Sequence, residues 1–409
     1  MKTKSSAKPW LIFFACMLFS AGSIGMFMNC TGIIFTAVIS EFGFKAGNLS
    51  IYYTIRFFTT AVTVGFMSKK CLEKPKFWIP LMGVSGCLSF VAMTLFTQLW
   101  QWYIAAVFCS IGLCCTFVVI PIVINNWFKK FNGLLIGLAM SASGAAGAIL
   151  SPVLSAFVSQ HGWRFAASFL GICGLIFTAS PAILWIRTTP EEIGEVPYGY
   201  DPEKEAAMQA RALNKEVKDI KVPARMFFII VAAIMFSIIL SQFMNQIPLF
   251  ATSVGYSLTI GATLSSACMI GNLSGKILFG ALSDKLGVFR TSYTVLAGTM
   301  AAYILLAFFQ GSIPRLWAGC VLFGISFSLG TTAPSLVFIQ VYGENGYKSK
   351  LSGLQSINSV STALLSSLIP FIFDFTGSFT PVFILGICTT ALAIVNFTLI
   401  VKYLKTRER

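Results

Sequence analysis

The sequence predicts an all-α membrane protein in which twelve transmembrane helices form two pseudo-symmetric six-helix bundles. Its 409 residues are 56% hydrophobic and only 11% charged. A soluble protein cannot hide so large an apolar share from water in a compact core. The apolar residues are also gathered into runs of about 20, the length that crosses a bilayer. The chain is therefore expected to lie in a lipid bilayer.

Six apolar segments precede a charged central interval, and six follow it. They lie near 10–40, 51–68, 77–97, 101–124, 133–158 and 163–186, and then near 226–250, 259–282, 291–309, 315–339, 351–374 and 380–402. This division predicts an N-terminal bundle at 1–187, a cytoplasmic central loop at 188–224 and a C-terminal bundle at 225–409. The first apolar run is far longer than the apolar part of a signal peptide, which favours a retained first helix.

The basic residues predict how the chain is oriented in the membrane. If the N-terminus is cytoplasmic, 24 of the 29 lysines and arginines fall on the cytoplasmic side. Cytoplasmic loops of membrane proteins carry such an excess. We therefore expect a multi-pass protein of the cell membrane with both termini in the cytoplasm. The net charge of +15 then reflects topology, and no nucleic-acid partner is expected.

Short matches at a nearly constant offset indicate that the two halves are related. The triplet that starts at Phe27 recurs at Phe243, an offset of 216, and both triplets end in asparagine (Asn29 and Asn245). Gly65 and Gly280 repeat at an offset of 215, and Pro121 and Pro334 at 213. Repeats of this kind place a binding site near the bilayer midplane, where the halves meet.

The stretch G-A-L-S-D-K-L-G after the eighth apolar segment resembles a loop of the major facilitator superfamily, Gly280 to Gly287 here. The resemblance covers nearly the whole chain and implies the major facilitator fold. It also implies a gating element made of Gly280, Asp284, Lys285 and Arg290, in which Asp284 binds a neighbouring helix end and helps hold one closed state. The equivalent stretch of the first half has Lys69 and Lys70 where an acid is expected.

A narrower resemblance lies between Asn125 and Trp163. The stretch N-N-W-F-K-K-F-N-G, followed later by G-W-R, is similar to the oxalate/formate antiporter family and the related monocarboxylate transporters. The phrase T-P-E-E-I-G-E-V-P-Y-G, from Thr189 to Gly199, resembles the same antiporter group. These likenesses imply a secondary active or facilitative transporter of an organic anion, with a monocarboxylate as the expected substrate, which works by alternating access as a monomer.

Two basic residues lie inside predicted helices. A charge in a membrane span is costly and usually faces a cavity or a partner. In the resembled families a cation at the position of Lys276 binds the substrate carboxylate. Arg56 has Tyr52 and Tyr53 one turn away, placed to stack on a guanidinium or bond to it. The remaining candidate substrate ligands are polar residues inside spans: Asn29, Gln242, Asn245, Gln246 and Asn358.

The charge balance of the spans favours an anionic substrate, because Asp374 is the one acid predicted inside them. Two departures from the family patterns matter. The eleventh segment has no lysine, which weighs against a dicarboxylate held at both ends. Asn272 stands where the monocarboxylate transporters have an acid, so proton symport, exchange for a counter-anion and uniport all stay open. An exporter of hydrophobic or neutral compounds is the alternative within transport.

Other function classes find less support. A non-transporting membrane sensor would need an effector domain, and the chain offers only a short central interval and short tails. An enzyme is not expected, because the chain has a single histidine, His161, and no phosphate-binding loop. The eleven cysteines are scattered without a C-x-x-C pair, so we expect no metal site and no cofactor.

Overall fold

The computed structural model describes residues 7–199 and 222–408, with side chains omitted at 65, 132–133, 335, 343–360, 364 and 407–408. Twelve helical passes make up the described chain. The N-terminal bundle contains α1 (Lys8–Phe42), α2 (Ala46–Glu73), α3 (Pro75–Met93), α4 (Leu99–Trp127), α5 (Asn132–His161) and α6 (Trp163–Leu184). The C-terminal bundle contains α7 (Ala224–Ser253), α8 (Leu258–Leu286), α9 (Val288–Phe308), α10 (Ile313–Tyr342), α11 (Ser361–Thr376) and α12 (Thr380–Glu408).

The bundle has two ends, which we name by the chain termini. The terminal face is the end at which α1 begins and α12 finishes, and the distal face is the opposite end. Short turns join the helices, so direction alternates from one pass to the next. We call the interface between the two bundles the seam. The fold class expected from the sequence is confirmed.

Nine of the described passes are long and apolar enough to cross a membrane by length and composition alone. The exceptions are α2, α8 and α11. Helices α2 and α8 are more than long enough, at 28 and 29 residues, but polar side chains lower their hydropathy. These two helices carry Arg56 and Lys276. The two long helices that fall short of the hydropathy of a span are therefore the ones that carry the candidate cations.

Four passes are interrupted, and each is the first helix of a group of three. Helix α1 contains a π-helical turn at Ala21–Met26 and resumes at Thr31. Helix α4 breaks at Cys114 and Cys115. Helix α7 changes to a 3₁₀ helix at Ser241–Gln246, and α10 has a short break before Ala333. Nested three-helix repeats are a feature of this type of fold, and discontinuous helices commonly form its binding sites.

The predicted separation of the tenth and eleventh helices is not seen in the backbone. The backbone is helical without a break from Ala333 to Thr376. No proline, which would interrupt a helix, lies between residues 335 and 369. Tyr342 packs in the terminal half of the C-terminal bundle, whereas Ile369 packs in its distal half. The chain thus travels to the terminal face and returns, as two passes require.

Four clusters of buried apolar side chains form the core, two in each bundle. The distal cluster of the N-terminal bundle includes Ala262 of α8, and the distal cluster of the C-terminal bundle includes Ala46 of α2. The two terminal clusters, as far as side chains are described, each contain residues of one bundle only. The bundles therefore share apolar packing at the distal end of the seam.

The G-W-R motif, which starts at Gly162, stabilises the N-terminal bundle. Gly162 adopts a positive φ of 82° at the turn before α6, and the next two residues both hold Glu41. Trp163 Nε1 donates to one carboxylate oxygen at 2.6 Å, and Arg164 pairs with the other at 2.7 Å. This connection fixes the distal end of α1 against α6.

The central-loop phrase is anchored to the same bundle. Thr189 and Glu192 form a reciprocal cap on the 3₁₀ turn Pro190–Ile193. Tyr198 then pairs through its backbone with Trp127 and Lys129, at 2.8 and 2.9 Å. The first part of the loop therefore belongs to the N-terminal bundle.

Candidate binding site at the seam between the bundles

Lys276 lies on the face of α8 that meets the N-terminal bundle. It is seven residues after Met269, and at about 100° per residue the two side chains point in nearly the same direction. Met269 packs against α5, where a Cβ added to Gly147 would lie 3.4 Å from Met269 Cγ. Lys276 is half-buried and about 27 Å from the distal start of its helix. The lysine therefore faces the seam, in its terminal half.

The seam widens on the way from Met269 to the terminal face. At Gly147 an added Cβ would be in tight contact with Asn29 at 3.2 Å, whereas at Gly144 the nearest atom is 3.6 Å away. An added Cβ at Gly137 of α5 or at Gly280 of α8 would have no atom of the described residues within 4 Å. Small residues thus allow close approach at one end and line an open space at the other. Lys276 lies beside this opening.

Polar side chains of the broken helices lie at the inner end of the opening. Asn29 donates from Nδ2 to the carbonyl of Ser143 at 3.1 Å. Asn245 donates to Gln242 Oε1 at 3.2 Å, and its own Oδ1 is buried without a hydrogen-bond partner. Gln246 donates to Ser50 Oγ at 3.4 Å across the seam. The four residues are therefore close to the contact of α1 with α7, with one amide oxygen left unused.

Asn272 and Lys276 are one turn apart on α8. The Oδ1 of Asn272 is also buried without a partner. The ion pairs between described side chains join Lys8 to Glu195 and Arg164 to Glu41, and neither involves Lys276. The lysine and an unpartnered amide thus offer a cation and a neutral polar group on one wall.

Arg56 is placed differently from Lys276. It is 1% exposed and its guanidinium lies over the rings of Tyr53 and Tyr52, with distances of 4.9 and 5.7 Å to the ring centres. The stacking expected from the sequence is confirmed. The side chain is, however, inside the N-terminal bundle, with Nη1 at 3.5 Å from the carbonyl of Phe27. No described contact brings it together with Lys276.

Asp374, which was not predicted to take part in gating, links the two bundles at the distal end of the seam. Asp374 of α11 accepts hydrogen bonds from the backbone N–H of Ala46 at 3.0 Å and of Gly47 at 2.6 Å. These amides are at the start of α2, where free N–H groups and the helix dipole favour an anion. The signal available in the sequence was an acid at the end of one helix and a glycine in the first turn of another.

Hydroxyl groups continue this closure along α2 and α11. Thr54 Oγ1 lies 3.1 Å from Ser366 Oγ and 2.7 Å from Ser367 Oγ, and Ser367 also donates to the carbonyl of Ser50 at 3.0 Å. On the other side of the seam, Ser266 of α8 donates to the carbonyl of Ala148 at 2.7 Å. These bonds reach no more than about 12 Å along α2 and α8 from their distal starts.

The gating residues expected from the resemblance are at the opposite face. Asp284, Lys285 and Arg290 are exposed, and Asp284 lies in the last turn of α8. Their part in gating stays a prediction, as does that of Gly280. Asn358 lies outside the described side chains. Among described residues, no group of three or more His, Cys, Asp or Glu side chains is placed to hold a metal ion.

Comparison with known proteins decides the family. The model of the Major Facilitator Superfamily matches residues 17–353. The chain belongs to this superfamily. The match covers both bundles and includes the region of Lys276, Asp284 and the seam-facing glycines of α5.

Curated relatives are similar at low identity. Monocarboxylate transporter 12 of Mus musculus is 24% identical over 81% of this chain and 73% of its own length. A sialic acid transporter of Escherichia coli (strain K12) is 24% identical over 56% of this chain and 53% of its own length. The chain thus spans little more than half of some relatives that it matches.

Solved structures support the same fold. A bacterial homologue of the human lysosomal transporter Spinster, solved in an inward-facing, unoccupied conformation, aligns with a TM-score of 0.68 over 98% of this chain and 99% of its own, at 13% identity. A nucleoside transporter aligns with a TM-score of 0.69 over 97% of this chain and all of its own, also at 13% identity. At such identity the likeness concerns the fold alone.

Proposed function

We propose that the protein transports a small organic anion, a monocarboxylate, by alternating access, with Lys276 pairing with the carboxylate. The observation that carries this proposal is a lysine on the seam-facing side of α8, beside an opening, without an acidic partner among the described side chains. A cation at this depth needs a counter-charge. In this proposal the substrate brings that charge, and the protein acts as a carrier rather than an enzyme.

The polar residues at the inner end of the opening complete the proposed site. The free amide oxygens of Asn245 and Asn272 accept hydrogen bonds and so suit a hydroxyl or amide of the substrate better than a second carboxylate. Asn29 links α1 to α5, Gln246 links α7 to α2, and Gln242 holds Asn245. Two curated relatives, a monocarboxylate transporter and a sialic acid transporter, are named for acidic substrates, which supports an organic anion.

In the proposed orientation the protein lies in the cell membrane, both termini are in the cytoplasm, and the distal face is on the outside of the cell. The excess of basic residues at the terminal face supports it. The structure is then inward-facing: the distal seam is closed and the opening beside Lys276 leads to the cytoplasm. We retain 1–187 and 225–409 as the bundles, joined by the loop 188–224, in a monomer.

Uptake into liposomes by the purified full-length protein tests the proposal. We expect accumulation or exchange of labelled acetate, lactate or pyruvate, and a loss of at least about thirtyfold in Lys276→Ala, because removing one partner of a desolvated charge pair is costly. Lys405→Ala is the matched control, since this exposed lysine lies at the end of α12. It should transport like the wild type.

The thermal unfolding temperature, measured with carboxylates, neutral compounds and cations, gives an independent readout, because a ligand stabilises the state that it binds. Carboxylates should raise it in the wild type and not in Lys276→Ala. Full uptake by Lys276→Ala, or stabilisation by neutral compounds or cations alone, would overturn the assignment.

A further inference from the structure

A second buried cation in the N-terminal bundle has no acid to balance it. Besides the two tyrosine rings, the ring of Phe57 lies 5.1 Å from the guanidinium of Arg56. The 3.5 Å approach of Nη1 to the carbonyl of Phe27 is at the limit of a hydrogen bond. An arginine in a protein cannot give up its proton. The positive charge is therefore permanent and almost completely removed from solvent.

Among the described residues, the hydrogen-bond donors around this charge have few acceptors, and the thiol of Cys109 lies beside Tyr52 and Arg56. Nε and Nη2 of Arg56 are buried without a hydrogen-bond partner, and so are the hydroxyl groups of Tyr52 and Tyr53. Ring faces offset part of the cost of a buried cation, by about 2 kcal/mol or more when desolvated. The ring faces do not accept hydrogen bonds from the N–H groups that lie in the plane of the Arg56 guanidinium. The cluster thus has several donors and a full positive charge, and the Cys109 thiol beside it is only a weak acceptor.

The described acids nearest in the fold are engaged elsewhere. Glu41, at the distal end of α1, is held by Trp163 and Arg164. Asp374 is held by the first amides of α2. On α4, the residues that approach Arg56 are neutral: Ser110 donates to its carbonyl oxygen, and Cys109 faces the carbonyl of Phe27. Among the described residues, therefore, no free acid is left to balance Arg56.

We infer that Arg56, Tyr52 and Tyr53 form a second binding site, inside the N-terminal bundle, for a small singly charged anion. The aromatic walls and complete burial restrict it to the size of chloride or a short carboxylate. The site is separate from Lys276, because it lies in the other bundle and about 12 Å nearer the distal face along the helix axes. It does not depend on what Lys276 binds.

Equilibrium binding of radioactive chloride to the purified full-length protein tests this site, with radioactive acetate in chloride-free buffer as the second arm. Beyond the binding of acetate at Lys276, we expect one saturable site that is weakened at least about tenfold in Arg56→Gln, since bonds to a charged group are lost. Tyr53→Phe keeps the ring and removes one donor, and should weaken binding by roughly threefold or more. This variant also serves if Arg56→Gln does not fold.

The two arms separate the sources of the anion. Binding of chloride identifies a free inorganic anion as the occupant, and binding of acetate alone by Lys276→Ala identifies a carboxylate. Lys276→Ala should keep the site, whereas a parallel loss in that variant would show one shared site and overturn the inference. Absence of saturable binding in both arms would also overturn it. So would binding by Arg56→Gln and Tyr53→Phe that is as tight as binding by the wild type.

Discussion

The two ends of the seam are built from different contacts. At the distal end the bundles share apolar packing, an acid on a helix start and a row of hydroxyl bonds. At the terminal end the described side chains of each bundle pack only within that bundle, and glycines face open space. The described contacts that join the halves are therefore concentrated at the distal end. A carrier that alternates between two states must be able to break such contacts.

The nature of the distal contacts explains how they can be reversed. Side-chain hydrogen bonds contribute only about 1 kcal/mol each, and an exposed hydroxyl recovers its bonds with water. A continuous apolar core across the seam would be far more costly to separate. Contacts of this kind fit the proposed alternating access, which needs a distal seal that can exchange with a closure at the other end.

The largest effect on this comparison is expected from Gly32→Ala. A Cβ at Gly32 of α1 would overlap the carbonyl oxygen of Asn245, so α1 and α7 could not approach as they do. Overpacking of this kind costs about 1–3 kcal/mol, which favours a distal-open state and should reduce transport in liposomes by about tenfold or more. Gly137→Ala is the control, since its Cβ would meet nothing within 4 Å. Equal transport by both variants would show that this contact does not limit closure.

An intermediate effect is expected from Asp374→Asn. The neutral amide can accept one hydrogen bond but loses the charge that favours a helix N-terminus, at a cost of about 1–2 kcal/mol. Hydrogen–deuterium exchange should become about tenfold faster at the first amides of α2 and stay unchanged in α5 near Gly137. Glu191→Gln, in the central loop, should alter neither region. Unchanged exchange at Ala46 and Gly47 would show that Asp374 does not hold the distal end closed.

Much of this architecture could be predicted from the sequence, because periodic apolar runs and the distribution of lysines report on the bilayer directly. Lys276 was found because a charge in a span is rare. Asp374 was noticed as an acid but not as a seal, since its partners are backbone amides of a helix 328 and 327 residues away. Every residue except proline has a backbone amide, so the sequence does not indicate which amides bind an acid. The direction in which Arg56 points was also beyond prediction, because the turn of α2 relative to α1 and α4 is set by packing.

The smallest effect is expected from Ser266→Ala, which tests whether single hydroxyl bonds seal the distal seam. Ser266 Oγ donates at 2.7 Å to the carbonyl of Ala148 in the other bundle, whereas Ser274, two turns further along α8, bonds to Ile270 in its own helix. Ser266→Ala should destabilise the distal-closed state by about 1 kcal/mol and speed amide exchange near Ala148 severalfold. Ser274→Ala should leave it unchanged. If both variants behave alike, bonds across the seam have no special part in closure, and shape at Gly32 and charge at Asp374 must account for it.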